Sequence, residues 1–128
     1  MIVLDASVLI AYLDDSDAHH QPAVTLLERE IDDDFSANTL TLAEVLVGPT
    51  RSGRADDALA ALRDLEVAEQ RFPPDAALKL AAMRIDTGLR MPDCCVLLAA
   101  QDAQGRVASF DVALNAAAAN IGLGVVPS

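Results

Sequence analysis

The opening run Met1-Ile2-Val3-Leu4-Asp5-Ala6-Ser7 constrains the fold more than any other stretch of the chain. Ile2, Val3 and Leu4 form an unbroken apolar segment with two β-branched residues. A strand of that kind is buried on both faces, as in a parallel sheet. The segment stops at Asp5, and Ser7-Val8-Leu9-Ile10-Ala11-Tyr12-Leu13 then fits a helix leaving the strand end directly. Asp5 is therefore expected at the carboxyl edge of the sheet, where open α/β folds place their ligands. Asp is also a favoured helix N-cap, and for Asp5 alone the cap is the simpler reading. Repetition strengthens the functional one. Asp93 and Asp111 also fall where helices begin, and Glu44 lies in the first turn of another. Four carboxylates gathered at one sheet edge would make a cation site.

The rest of the chain alternates in the same way. A helix is expected from about His20 to Ile31, with Ala23, Leu26, Leu27 and Ile31 on one face. His19 and His20 at its start lack ligand-spaced partners and read as exposed. Asp32-Asp33-Asp34 reads as a solvated turn. Phe35-Ser36-Ala37-Asn38 reads as a second strand. Thr41-Leu42-Ala43-Glu44 then opens a helix in the pattern of a capping box, which is the structural alternative for Glu44. Gly48-Pro49 should kink or end that helix, and Arg51-Ser52-Gly53-Arg54 follows as a basic loop. A helix over residues 55–65 with Leu59, Leu62 and Leu65 on its apolar face, a third strand over 67–72 and a helix from Pro73-Pro74-Asp75 to about Asp86 come next. Met91-Pro92-Asp93 begins another helix, with Pro92 suited to its first turn, and Gln104-Gly105 ends it. Residues 106–110 read as a strand, 111–121 as a helix and Val125-Val126 as a last strand. Strands alternating with helices predict one α/β domain over residues 1–128, a three-layer sandwich with helices on both faces of a mostly parallel sheet.

Composition narrows the function classes. With 52% apolar residues, a chain of 128 can bury a core without disulfides. Cys94 and Cys95, adjacent in a helix, cannot readily bridge each other and read as core residues in a reducing cytoplasm. No apolar stretch approaches the roughly 20 residues of a membrane span, and the first residues lack the basic segment of a signal peptide. The formal charge is −11, from nine basic and twenty acidic residues. That balance argues against a general nucleic-acid-binding surface. It permits a divalent-cation site, because a metal reverses the local sign, and it suits a basic protein partner.

Asp5, Glu44, Asp93 and Asp111 offer oxygen ligands only, without His or Cys at ligand spacing, and so favour Mg²⁺ or Mn²⁺ over zinc or copper. Without a cation, the four would repel one another and at least one would tend to take up a proton. Such a cluster suits phosphate chemistry, in which divalent ions activate water and clamp the scissile group. Ser7 and Ser109 each lie two residues from one of the aspartates and could hold a carboxylate, a water or a phosphate oxygen, or make local turn hydrogen bonds. Asn115, one helical turn beyond Asp111, could reach a water of the site or be a plain surface residue.

These motifs carry a resemblance. Ile2-Val3-Leu4-Asp5-Ala6-Ser7, Thr41-Leu42-Ala43-Glu44-Val45-Leu46-Val47-Gly48, Met91-Pro92-Asp93 and Ser109-Phe110-Asp111, in this order in a chain of this length, resemble the acidic motifs of PIN-domain ribonucleases. More narrowly, the chain resembles the VapC-type toxins of bacterial toxin–antitoxin pairs. The resemblance implies Mg²⁺- or Mn²⁺-dependent cleavage of RNA by water, with Asp5, Glu44, Asp93 and Asp111 as the metal site. It also implies a homodimer and a cognate VapB-type antitoxin that wraps the toxin and obstructs its active site. Asn115 stands where some relatives have an acid. Arg51 and Arg54 are the candidates for holding RNA phosphates in a chain this acidic. Two other readings compete. A haloacid-dehalogenase-like phosphohydrolase also places an Asp after its first strand, but needs a second Asp where this chain has Ser7. A non-catalytic PIN-like domain binding a basic partner is the alternative from another class.

Overall fold

A computed structural model describes all residues 1–128. Four strands, β1 (Ile2–Leu4), β2 (Phe35–Asn38), β3 (Val67–Gln70) and β4 (Arg106–Ala108), form a sheet in the order β3-β2-β1-β4, with every pair parallel. Helices α1 (Ala6–Leu13), α2 (His20–Arg29), α3 (Thr39–Arg51) and α4 (Ala55–Asp64) precede β3. Helices α5 (Ala76–Thr87) and α6 (Met91–Ala103) lie between β3 and β4, and α7 (Val112–Asn120) follows β4.

The double burial expected of β1 is realised. Ile2 and Leu4 pack into one core with Val8 and Leu9 of α1 and Leu26 and Leu27 of α2, whereas Val3 packs into a second core with Leu97 of α6 and Leu114 of α7. Because successive side chains of a strand point to opposite faces, this central strand joins both helical layers of the sandwich. Helix α6 is the most deeply buried, with every residue from Cys94 to Ala100 in the interior, and both cysteines are free thiols. No helix is long and apolar enough to cross a membrane.

The strand order positions the site. The chain moves from β1 outward through β2 to β3 and then returns to add β4 on the other side of β1. The helices before β3 pack on one face of the sheet and those after it on the other, so β1 and β4 flank the switch point at which open α/β sheets place their ligands. The Asp5 amide donates to the Ala108 carbonyl at 2.9 Å and pins the two strand ends together there.

Several local expectations are corrected. Asn38, not Thr41, caps α3: its Oδ1 accepts the Thr41 amide at 2.9 Å, and its amide donates to the Thr41 hydroxyl at 3.0 Å. Glu44 therefore takes no part in a capping box. Pro49 does not stop α3, which runs on to Arg51, because a proline in the last turn removes only one donor. Helix α2 ends at Arg29, which leaves Ile31 in the following turn and 56% exposed. Leu59, expected on the apolar face of α4, is 40% exposed. His20 is half-buried, its Nδ1 lying 2.7 Å from the Ala11 carbonyl. The acidic turn is not simply solvated, since Asp33 pairs with the Met1 amine at 2.7 Å and with Arg106 at 3.3 Å. The last strand is reduced to a single parallel bridge between Val125 and Val107.

Candidate active site

Asp5 occupies the N-cap position of α1 with extended backbone angles, yet its side chain makes no capping bond. Its Oδ2 instead accepts the hydroxyls of Ser7 and Ser109, each at 2.7 Å. Each hydroxyl in turn accepts a backbone amide from the turn after β4: Phe110 to Ser7 at 3.1 Å and Asp111 to Ser109 at 2.9 Å. Both serines thus spend their one proton on Asp5 and are themselves oriented by the main chain. The carboxylate is buried and fixed, with Oδ1 left without a protein donor. The N-cap explanation of Asp5 does not hold, and the local-turn explanation covers only one of each serine's two bonds: Ser7 to Asp5, and Asp111 to Ser109.

Asp111 behaves differently. It caps α7 in full, its Oδ1 accepting the amides of Ala113 at 2.9 Å and Leu114 at 3.2 Å. One oxygen is committed to the helix and the other is not. Asn115 donates from Nδ2 to the Ser109 carbonyl at 3.0 Å. That bond fixes the amide orientation, because the flipped amide would set oxygen against oxygen. Its Oδ1 is then buried without a partner. Asn115 is not a plain surface residue; it carries an acceptor still to be satisfied.

Glu44, one turn into α3, and Asp93, in the first turn of α6, complete the group. Partial desolvation raises the Glu44 carboxyl above its ordinary value, the Asp5 and Asp93 carboxylates push it further, and the Arg90 guanidinium opposes them. Burial likewise raises Asp93, against Arg90, with Asp111 and Asp5 adding to the rise. These influences link all four acids into one electrostatic cluster. Burial also pushes up the Cys95 thiol beneath them, with Cys94 and Glu44 contributing. The four acids converge loosely: no three ligating side chains meet closely enough to hold an ion directly. The donor set itself fits a hard cation that retains several waters, as Mg²⁺ does. It consists of carboxylate oxygens, two of the carboxyls having their pKa raised by burial and by their neighbours' charge, with an unpartnered amide oxygen on α7.

Arg90 escaped the sequence reading. Its Nε lies 3.9 Å from Asp93 while the side chain stays 80% exposed. The signal was its place three residues before Asp93, one helical turn away. Of the two arginines expected near the site, Arg54 lines a cleft of about 520 Å³ with Glu44, Asp14 and Ser52. Arg51, exposed at the end of α3, does not line that cleft.

The PIN domain family model matches residues 2–120. The chain belongs to the PIN domain family. Solved structures agree on the fold. A toxin–antitoxin complex from Klebsiella pneumoniae matches with a TM-score of 0.79 at 23% identity, covering 99% of this chain and 97% of that one. FitAcB from Neisseria gonorrhoeae matches with a TM-score of 0.73 at 20% identity, over 99% and 97% of the two chains. The sarcin–ricin-loop-cleaving toxin VapC20 of Mycobacterium tuberculosis matches with a TM-score of 0.73 at 17% identity, over 91% and 95%. No curated protein sequence matches the chain. The α/β sandwich expected from the alternating strands and helices is thus the PIN fold.

Proposed function

We propose that this PIN domain is a Mg²⁺- or Mn²⁺-dependent endoribonuclease and the toxin of a VapBC-type pair. The observation that carries the reading is Asp5: a buried carboxylate excluded from capping, held by two serines from two strand ends, with one oxygen free beside three further acids. A helix cap needs none of that apparatus. Asp5, Glu44, Asp93 and Asp111 would hold the metal. When bound, the ion supplies an activated water and offsets the charge of the phosphate. Ser7 and Ser109 keep the Asp5 carboxylate in one orientation, so it need not reorganise when substrate arrives. The unpartnered Asn115 Oδ1 would accept a hydrogen bond from a water of the site and orient it. Arg90, exposed and next to Asp93, would donate hydrogen bonds to a phosphate oxygen.

The test is cleavage of single-stranded RNA in a titration of Mg²⁺ or Mn²⁺. Activity should rise with the ion, vanish in chelator and be absent in Asp5→Asn. Cleavage that is indifferent to chelator, or retained in Asp5→Asn, would refute the reading. Binding of a basic partner without cleavage under any metal would instead favour the non-catalytic alternative.

A cognate VapB-type antitoxin belongs to the same proposal. It is supported by structural relatives solved as toxin–antitoxin complexes and by the charge of −11. Between α1, α2 and α4 runs an apolar groove of about 580 Å³, with Tyr12, Leu13, Val24, Leu27, Ile31 and Leu65 among its lining. An amphipathic antitoxin helix would fill it with apolar side chains at helical spacing. Ile31→Asp should then weaken the complex with a co-expressed antitoxin more than 10-fold and leave metal-dependent cleavage unchanged. An equally tight complex would move the partner elsewhere. A homodimer is part of the reading too. Leu78 and Ile85, 79% and 83% exposed two turns apart on α5, are apolar residues that a second copy would cover.

A further inference from the structure

The turn that carries Asp111 also carries an aromatic pair. The imidazole of His19, at the end of the α1–α2 loop, stacks on the Phe110 ring with centroids 5.2 Å apart and planes 19° from parallel. That is an offset-stacked arrangement. Phe110 is half-buried against the core on the α1 side of the sheet. Its amide is held by the Ser7 hydroxyl, which itself bonds Asp5, so the ring sits two hydrogen bonds from the buried carboxylate. His19 is held as well: Asp17 accepts its backbone amide at 2.8 Å, and α2 begins at the next residue. The His19 side chain nevertheless remains 61% exposed. One face of the imidazole lies on Phe110, its Nδ1 is 3.9 Å from the Asp17 carboxylate, and most of the remaining ring is open to solvent. A chain with three Phe, one Tyr and no Trp has placed a supported, solvent-facing ring beside its acids.

We propose that the outer face of His19 is a stacking platform for one nucleobase of a single-stranded RNA, seating that nucleotide beside the scissile phosphate. The inference rests on the endoribonuclease reading and deepens it by naming a base subsite. Single-stranded RNA is held largely by bases stacked on aromatic side chains, whatever their sequence. Stacking asks little of the protein's net charge. It therefore offers affinity where Asp14, Asp15 and Asp17 of the same loop would repel a phosphate contact. Phe110 backs the imidazole and keeps it from turning away.

The experiment compares His19→Ala, His19→Trp and His19→Lys with the wild type, using a short single-stranded RNA and saturating Mg²⁺. Loss of one base stack corresponds to a roughly 5- to 150-fold loss of binding. His19→Ala should raise KM within that range and change kcat little. His19→Trp should restore KM, and His19→Lys should not. A 2-aminopurine base at the subsite should be quenched by the wild type and His19→Trp, and not by His19→Ala. An unchanged KM in His19→Ala overturns the platform. Rescue by Lys as good as by Trp also overturns it, in favour of a charge contact. Wild-type protein that neither cleaves nor binds the RNA under any divalent ion defeats the nuclease reading itself. A wild type that cleaves alongside an unaffected His19→Ala defeats only the platform.

Discussion

Asp93→Asn is expected to lower metal-dependent cleavage by more than about 100-fold, since loss even of a residue supporting a metal ligand typically costs 10–100-fold. In chelator, the same change is expected to make the fold more stable. The two effects share one cause. The native carboxyls of Glu44 and Asp93 are raised by burial and by neighbouring carboxylates. The folded state therefore binds protons more tightly than the unfolded state between the ordinary values, 4.5 for Glu44 and 3.8 for Asp93, and the raised ones. Stability in that interval falls as pH rises through the native pKa values. Metal-free protein should thus melt at a higher temperature when taken from neutral pH toward pH ~4.5, and Asp93→Asn should flatten that rise. Asp14 and Asp33 are shifted the other way, Asp14 by the Ser16 hydroxyl and Asp33 by the Met1 amine. They withdraw stability only as pH falls through values below 3.8, so they do not mask the effect. The competing influence is the place of Asp93 in the first turn of α6 beside Arg90, where an acid stabilises a helix by about 0.3–1 kcal/mol. Thermal unfolding in chelator decides between them. A lower Tm for Asp93→Asn at neutral pH would mean that helix stabilisation outweighs repulsion, and Asp93 would then be a structural acid.

What the sequence made legible followed from short-range rules. The apolar run Ile2-Val3-Leu4 demanded a strand buried on both faces, and the two cores divide between Ile2 and Leu4 on one side and Val3 on the other. Asp5, Asp93 and Asp111 could be placed at helix starts because the apolar pattern changes period beside each of them. Which of them cap was not legible, since Asp5 and Asp111 look alike in sequence. Asp5 Oδ2 is taken by the hydroxyls of Ser7 and of Ser109, the latter 104 residues away, and not by the amides of its helix. Glu44 was obscured by Thr41, a plausible cap three residues earlier, because nothing local said that Asn38 would start the helix first. Ile31 has the right period for the face of α2, but the helix stops at Arg29 and tertiary packing leaves Ile31 at the rim of a groove. Arg90 and the His19–Phe110 stack depend on contacts between turns that periodicity does not describe.

RNA binding should show a shallow salt dependence and should collapse when the divalent ion is removed. A chain with twenty acidic and nine basic side chains has no general basic face to release many counterions. Each phosphate neutralised on a single strand contributes roughly −0.7 to the log–log salt slope. Arg90 lies beside Asp93, and Arg54 shares the cleft of Glu44, so one or two contacts give a slope of roughly −0.7 to −1.4. Asp14 is held low by its Ser16 hydrogen bonds and also feels the Arg54 guanidinium. Arg90, by contrast, is felt by both Glu44 and Asp93 and stays 80% exposed, which makes it the phosphate contact expected at the acids. Arg90→Ala should therefore flatten the slope by roughly 0.7 and weaken binding at low salt, whereas Arg51→Ala should change neither. The dependence on the ion has the same origin. Without a cation, Arg90 answers the Asp93 carboxylate and the acids would repel a phosphate; a cation held by the carboxylates would leave the guanidinium free to bind one. A steep slope that survives chelation would require a basic groove and overturn this reading. An Arg90→Ala variant with unaltered affinity and slope would leave Arg90 as the counter-charge of Asp93 and nothing more.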